Sequence, residues 1–222
     1  MRGQHGYTLV EMLVAMAVTS IVLAGTYAAY SFFARQQQLI LSQTELSRNA
    51  MRAIDLMQTD IRMAGFKDYN DPDVMQSNQP IVIAQSNPAD LRLVYDEYDT
   101  GGSVKRMLTR YYTKTYTAAE SGLQRDRILR QVRRCNDPSV FCDLSNSTLT
   151  STDPDGEPLL DWVDQFVVTG QNPKTVGSFK NQFQTLKIVL TLKSPRKLEG
   201  AVKDTTKNFT FIARAKNVSL VP

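Results

Sequence analysis

One acidic side chain stands alone in a long apolar segment: Glu11 is the only charged residue between positions 7 and 33. A carboxylate in hydrocarbon costs several kcal/mol unless it is neutralised, so a residue kept there has a functional reason by default. The chemistry open to it is pairing with a cation. Other chemistry is poorly provided for. The only histidine, His5, lies ahead of the apolar run, so the rest of the chain has no imidazole for a Ser/His/Asp or Cys/His arrangement. Thr100-Gly101-Gly102-Ser103 lacks the lysine and the spacing of a phosphate-cradling loop. Cys135 and Cys142 have no histidine near them to complete a tetrahedral zinc site. No enzyme activity, cofactor or structural metal is therefore expected.

Three weaker constellations read as structural. Asp153, Asp155 and Glu157 have calcium-ligand chemistry, but Gly156 is fourth from Asp153, whereas an EF-hand loop has its glycine sixth. A solvated acidic turn is the expectation. Arg125, Arg127, Arg130, Arg133 and Arg134 have Asp126 among them and no interleaved aromatics. They read as a solvated strand face, and nucleic acid is not an expected partner. Trp162, with Leu159, Leu160, Val163 and Phe166 around it, is expected in the core beneath a loop rather than as a partner anchor.

The elements that position these residues follow from hydropathy and period. Residues 7–33 exceed the ~20 apolar residues a spanning helix needs. The run is too long for the ~7–15-residue apolar core of a secretory signal, and no small-residue cleavage site follows it. It is expected to stay attached to the mature protein. Arg2, His5 and the initial amine favour a cytoplasmic N-terminus, a bias that Arg35 just beyond the run weakens. The helix should continue, because Leu39, Leu46, Ala50, Ala53, Met57, Ile61 and Ala64 share one face. Gln38, Gln43, Glu45, Arg48, Arg52, Asp55 and Asp60 are placed on the other. Gly65 supplies a left-handed cap before the turn-rich stretch 67–73. A single helix of nearly sixty residues, about 85 Å long, is the expectation.

Strands are expected at 80–84, 90–98, 104–117, 122–133, 165–170, 183–192 and 208–218, with a hairpin turn at Gly101-Gly102 and loops at 145–158 and 193–206. The fold class is α+β, one long N-terminal helix packed on a largely antiparallel sheet. In the compartment this anchor exports to, Cys135 and Cys142 would close one disulfide; in a reducing one they would be free thiols. A formal net charge of +4 says little about partners.

Gly6-Tyr7-Thr8-Leu9-Val10-Glu11 resembles the cleavage site of type IV prepilins. The resemblance implies a leader, 1–6, that a membrane prepilin peptidase removes after Gly6, leaving Tyr7 as an N-methylated terminus. It implies a transmembrane half-helix, 7–35, an amphipathic half, 36–65, and a periplasmic or extracellular β-rich domain, 66–222. It also gives Glu11 a partner, the terminal amine of an adjoining subunit in the filament. Leu46-Ser47-Arg48-Asn49-Ala50, Ile54-Asp55-Leu56-Met57 and Asp60-Ile61-Arg62-Met63-Ala64-Gly65-Phe66 resemble the PilW-type minor pilins, and residues 212–217 match that family's last strand more loosely. That likeness implies a low-copy subunit that primes pilus assembly near the tip, with other minor and major pilins and a tip adhesin as partners. It would sit in the inner membrane first and in the pilus at the cell surface afterwards. Ala28 stands where major pilins carry a helix-kinking proline, and the cysteine loop is smaller than theirs, which argues against a major pilin. A minor pseudopilin of type II secretion shares leader, helix and sheet, and a signal-anchored periplasmic binding domain or enzyme is the alternative outside the class.

Overall fold

Thr8 sets the start of a long N-terminal helix. The computed structural model describes residues 8–66, 79–98, 101–102, 104–117, 124–136, 142–145, 147–150, 154–176, 179–193 and 206–216. Helix α1 spans Leu9–Met63, 55 residues, or about 80 Å at 1.5 Å per residue. No proline interrupts it. Its first half is apolar all round: Leu13, Ile21, Leu23 and Phe33 are exposed, and among the described residues nothing covers its most apolar stretch. It is long and apolar enough to cross a membrane.

The second half is one-sided. Leu46, Ala50, Ala53, Ile54, Met57 and Ile61 are buried along one stripe, and the two alanines let the helix backbone approach the sheet closely. Asp60 corrects the expectation that it lies on the polar face. It falls three residues after Met57 and next to Ile61, so helical geometry places it on the buried stripe. Gly65 ends the helix at φ 74°. Its N–H bonds Val94 O at 2.9 Å, and Asp96 N–H bonds Phe66 O at 2.9 Å, so the exit is tied to the sheet. The turn expected at 67–73 lies outside the described residues.

The strands are β1 (Ile81–Ser86), β2 (Ala89–Tyr98), β3 (Val104–Thr117), β4 (Gln124–Cys135), β5 (Ser147–Leu149), β6 (Glu157–Gln171), β7 (Lys174–Val176), β8 (Phe179–Gln182), β9 (Thr185–Lys193) and β10 (Thr206–Arg214). One antiparallel sheet runs β1-β2-β3-β4-β6-β9-β10, with β5 beside the end of β4, and β7-β8 is a separate hairpin. Leu186, Ile188, Leu190 and Leu192 alternate inward and are fully buried, as their period-two spacing predicts. With Leu91, Leu93, Tyr111, Ile128 and Phe166 they meet the helix stripe in the main core.

Two differences from the expected layout have local causes. Strand β6 begins eight residues earlier than position 165, because its bulge between Val163 and Gln165 hides the alternation. The expected loop at 145–158 contains β5, paired through Ser147 to Cys135. At Gly156, φ is 85° and an added Cβ would lie 2.6 Å from Arg130 O, so only glycine lets this turn press on β4. Most of the loop expected at 193–206 lies outside the described residues.

A smaller cluster occupies the sheet's other face, where Val94, Leu108, Cys135 and Cys142 are buried with Leu144 against them. Cys135 and Cys142 are disulfide-bonded, with Cα atoms 5.6 Å apart. Asp96 and Arg106 form a buried bidentate pair on the same face, at 2.9 and 3.1 Å. Closing so short a loop is worth about 2–3 kcal/mol in the chain-entropy model. Reduction of the intact chain in detergent should therefore lower its melting temperature by about 5–10 °C. An unchanged melting curve in dithiothreitol, with both thiols alkylated, would show that the crosslink contributes nothing.

Candidate functional site

Gly6 and Tyr7 lie outside the described residues, but the helix start that follows them is defined in detail. Thr8 is extended, at φ −79° and ψ 152°, and caps α1. Glu11 N–H donates to Thr8 Oγ1 at 3.3 Å. Glu11 Oε2 in turn accepts from Thr8 N–H at 2.9 Å and from Thr8 Oγ1–H at 3.0 Å. This reciprocal capping box satisfies amides that a helix start leaves without partners. It also sets a carboxylate against the positive end of the helix dipole.

Hydropathy alone gave no hint of this contact. In the single chain Glu11 is held by its own helix end, with its side chain folded back on Thr8. The signal was in the sequence: Thr8-Leu9-Val10-Glu11 has the Thr-x-x-Glu spacing of a capping box. Other polar side chains in the apolar half fold back in the same manner. Thr19, Ser20 and Thr26 donate to the carbonyls of Ala15, Met16 and Val22 at 2.7–2.8 Å. These bonds let hydroxyls sit in an apolar medium without orphaned donors. Glu11 is thus the one charged side chain on α1 before Arg35.

The arginine run is not a solvated face. Arg130 reaches the helix, with Nε 2.8 Å from Asp60 Oδ2. Arg127 pairs with Asp161 and lies over the Tyr116 ring, 4.2 Å from its centroid. Arg133 donates to Ser147 Oγ at 2.8 Å and to Ser147 O at 2.7 Å. Arg125 stacks over Trp162 at 5.4 Å. Only Arg134 of the five is exposed. The run reads as solvated in sequence because the partners of the other four arginines are distant along the chain.

Trp162 also departs from its expected place. Leu160, Val163 and Phe166 enter the core, whereas Trp162 is half-buried and sits at φ 63° in the irregular part of β6. That left-handed conformation turns its ring out of the core alternation and toward Arg125. Trp162 and Asp161 line a cleft of about 440 Å³ beside Glu45, Asn49 and Arg52 of α1.

Of the acidic turn, Asp155 bonds Lys114 while Asp153 lies outside the described residues. Among the described residues no group of three or more His, Cys, Asp or Glu side chains could hold a metal ion.

No curated protein and no solved structure gives a significant match to this chain. Residues 1–27 match the family model described as the prokaryotic N-terminal methylation motif. They hold Gly6, Tyr7 and Glu11 together with the capped helix start, and fit membrane anchoring through α1. The match implies processing by a prepilin peptidase and assembly with other pilins, and it supports a type IV pilin-like prepilin, of the pilin or pseudopilin class.

Proposed function

We propose that this chain is a minor type IV pilin, a non-catalytic subunit that primes pilus assembly and sits near the pilus tip. The methylation motif running without a break into an apolar helix, with Glu11 at its capped start, carries the reading. A prepilin peptidase removes residues 1–6, and Tyr7 becomes the methylated terminus. The helix holds the subunit in the inner membrane with its sheet on the periplasmic side, and then enters the filament. The PilW-type likeness along α1, and Ala28 in place of a helix-kinking proline, favour a minor over a major subunit. Other minor pilins, the major pilin and a tip adhesin are its partners in that setting. A minor pseudopilin of type II secretion would share the same N-terminal motif.

Filament composition separates the two. Mass spectrometry of sheared, purified pili should find the subunit at low copy, beginning at Tyr7. Its absence from pili, together with a secretion defect on deletion, would assign it to the secretion machinery instead. The cleavage step has its own test. Glycine offers the peptidase the least bulk at the scissile bond, so Gly6→Val should accumulate as full-length precursor in the membrane. A Gly6→Val chain that still begins at Tyr7 would overturn the cleavage-site assignment.

A further inference from the structure

The two edges of the sheet are built differently. Strand β1 has a bulge between Ile83 and Gln85, and Pro80 and Pro88 flank it. Bulges and prolines are what natural edges use to avoid accepting another strand. Strand β10 has neither. Its nine residues pair in unbroken register with β9, and Phe209-Thr210-Phe211-Ile212 have strong β preference. Among the described residues nothing pairs with its outer side.

The direction of the free backbone groups follows from one bond. Ala215 N–H donates to Gln184 O at 2.9 Å, continuing the β9–β10 ladder. Bonded and non-bonded pairs alternate in an antiparallel ladder. The odd-numbered residues from Lys207 to Ala215 therefore turn their amides toward β9, and Asn208, Thr210, Ile212 and Arg214 turn theirs outward. Ile212 is 61% exposed, a large apolar side chain beside that outward row. Among the described residues of β10 and the cleft beside it, the charge has one sign. Lys207, Arg214 and Lys216 are exposed, and Arg62 of α1 joins Ile212, Arg214 and Lys216 in lining a cleft of about 540 Å³. No acidic residue lies on β10 or in that lining.

We propose that β10 is a docking edge that takes up an extended, acidic segment of another polypeptide as an additional strand. Main-chain bonds to the outward row would supply affinity, and an apolar side chain against Ile212 with carboxylates near Arg214 and Lys216 would supply selectivity. This surface stands apart from the N-terminal motif, and it holds whichever secretion or pilus system the subunit serves.

The test uses the full chain in detergent micelles and two labelled synthetic peptides, one alternating valine with glutamate and one alternating valine with lysine. The glutamate peptide should bind, more weakly as salt rises, and the lysine peptide should not. Thr210→Pro deletes an outward N–H and leaves the β9 ladder whole, so it should weaken binding roughly tenfold at an unchanged melting temperature. Arg214→Glu with Lys216→Glu should invert the preference between the peptides, a readout that survives if the proline variant is unstable. Equal binding of both peptides, binding of neither, or full binding by a stable Thr210→Pro chain overturns the proposal. A dimer that Thr210→Pro abolishes would make the occupant a second copy and also overturn it. Binding that appears only after removal of residues 217–222 would make the occupant this chain's own C-terminal segment, which overturns it equally.

Discussion

Glu11→Ala should be cleaved and retained in the membrane like the wild type, yet be depleted roughly tenfold or more from sheared filaments. The expectation rests on charge: a carboxylate entering an apolar filament core must meet a cation or cost several kcal/mol. In the pilin reading that cation is the amine of Tyr7 on the adjoining subunit. The capping box offers a second explanation for the same loss, because alanine also removes the bond from Thr8 N–H to Glu11 Oε2 at 2.9 Å. Losing a cap costs about 1 kcal/mol of helix stability. Glu11→Gln separates the two, since glutamine keeps the cap and drops the charge. If pairing governs assembly, Glu11→Gln should be excluded from filaments as strongly as Glu11→Ala. A Glu11→Gln subunit incorporated at the wild-type level would leave capping as the residue's role. Leu9→Ala, which trims packing and leaves charge alone, should lower incorporation much less than either.

That pair of variants shows what the sequence could and could not convey. The isolation of Glu11 is visible from hydropathy, a property readable residue by residue, and so are the long helix and its buried stripe. The inward leucines of β9 are equally plain, because a strand buried on one face repeats every second residue. Legibility fails where a residue's state depends on a distant partner. Asp60 looks like a polar-face residue because aspartate is mostly exposed, and its partners Tyr111 and Arg130 come from β3 and β4. Trp162 looks like core by composition, and a left-handed backbone in an irregular strand removes it. Strand β5 is only three residues long, Ser147-Thr148-Leu149, and its pairing with β4 leaves no periodic trace. The Thr8–Glu11 box is a different kind of miss. Its spacing is local and visible, but the cost of a carboxylate in hydrocarbon already accounts for Glu11 and hides its second use.

Asp60→Ala should be strongly destabilising, at about 3–5 kcal/mol. The carboxylate accepts the Tyr111 hydroxyl at 2.5 Å and Arg130 Nε at 2.8 Å, and Arg130 Nε is also 3.3 Å from the Tyr111 oxygen. Burial, with the Asp60 charge behind it, pushes the Tyr111 phenol well above its usual range, so it remains a neutral donor. Desolvation acts to lower the Arg130 pKa, and the Asp60 hydrogen bond and charge outweigh it, so the guanidinium stays charged. Removing the carboxylate strands a cation and a hydroxyl between α1 and the sheet. That unpaired cation is the reason the loss exceeds one ordinary hydrogen bond, worth about 1 kcal/mol. Arg130→Met in the same chain should restore much of the stability, because replacing both members of a buried pair is far less costly than breaking it. Denaturant unfolding of the four chains in a double-mutant cycle measures the coupling. If Asp60→Ala and the double variant unfold alike, the cation is not what makes the loss large. Position matters as much as energy here. A helix shifted by one turn would carry Asp60 away from both partners and bury another residue against Arg130, so the triad selects one register of α1 on the sheet. The proposed cleavage after Gly6 is far from Asp60 in sequence order along α1, and should be normal in Asp60→Ala. A subunit processed correctly but carrying a loosened domain would then separate the two duties of α1, anchoring at its first half and presenting the sheet at its second.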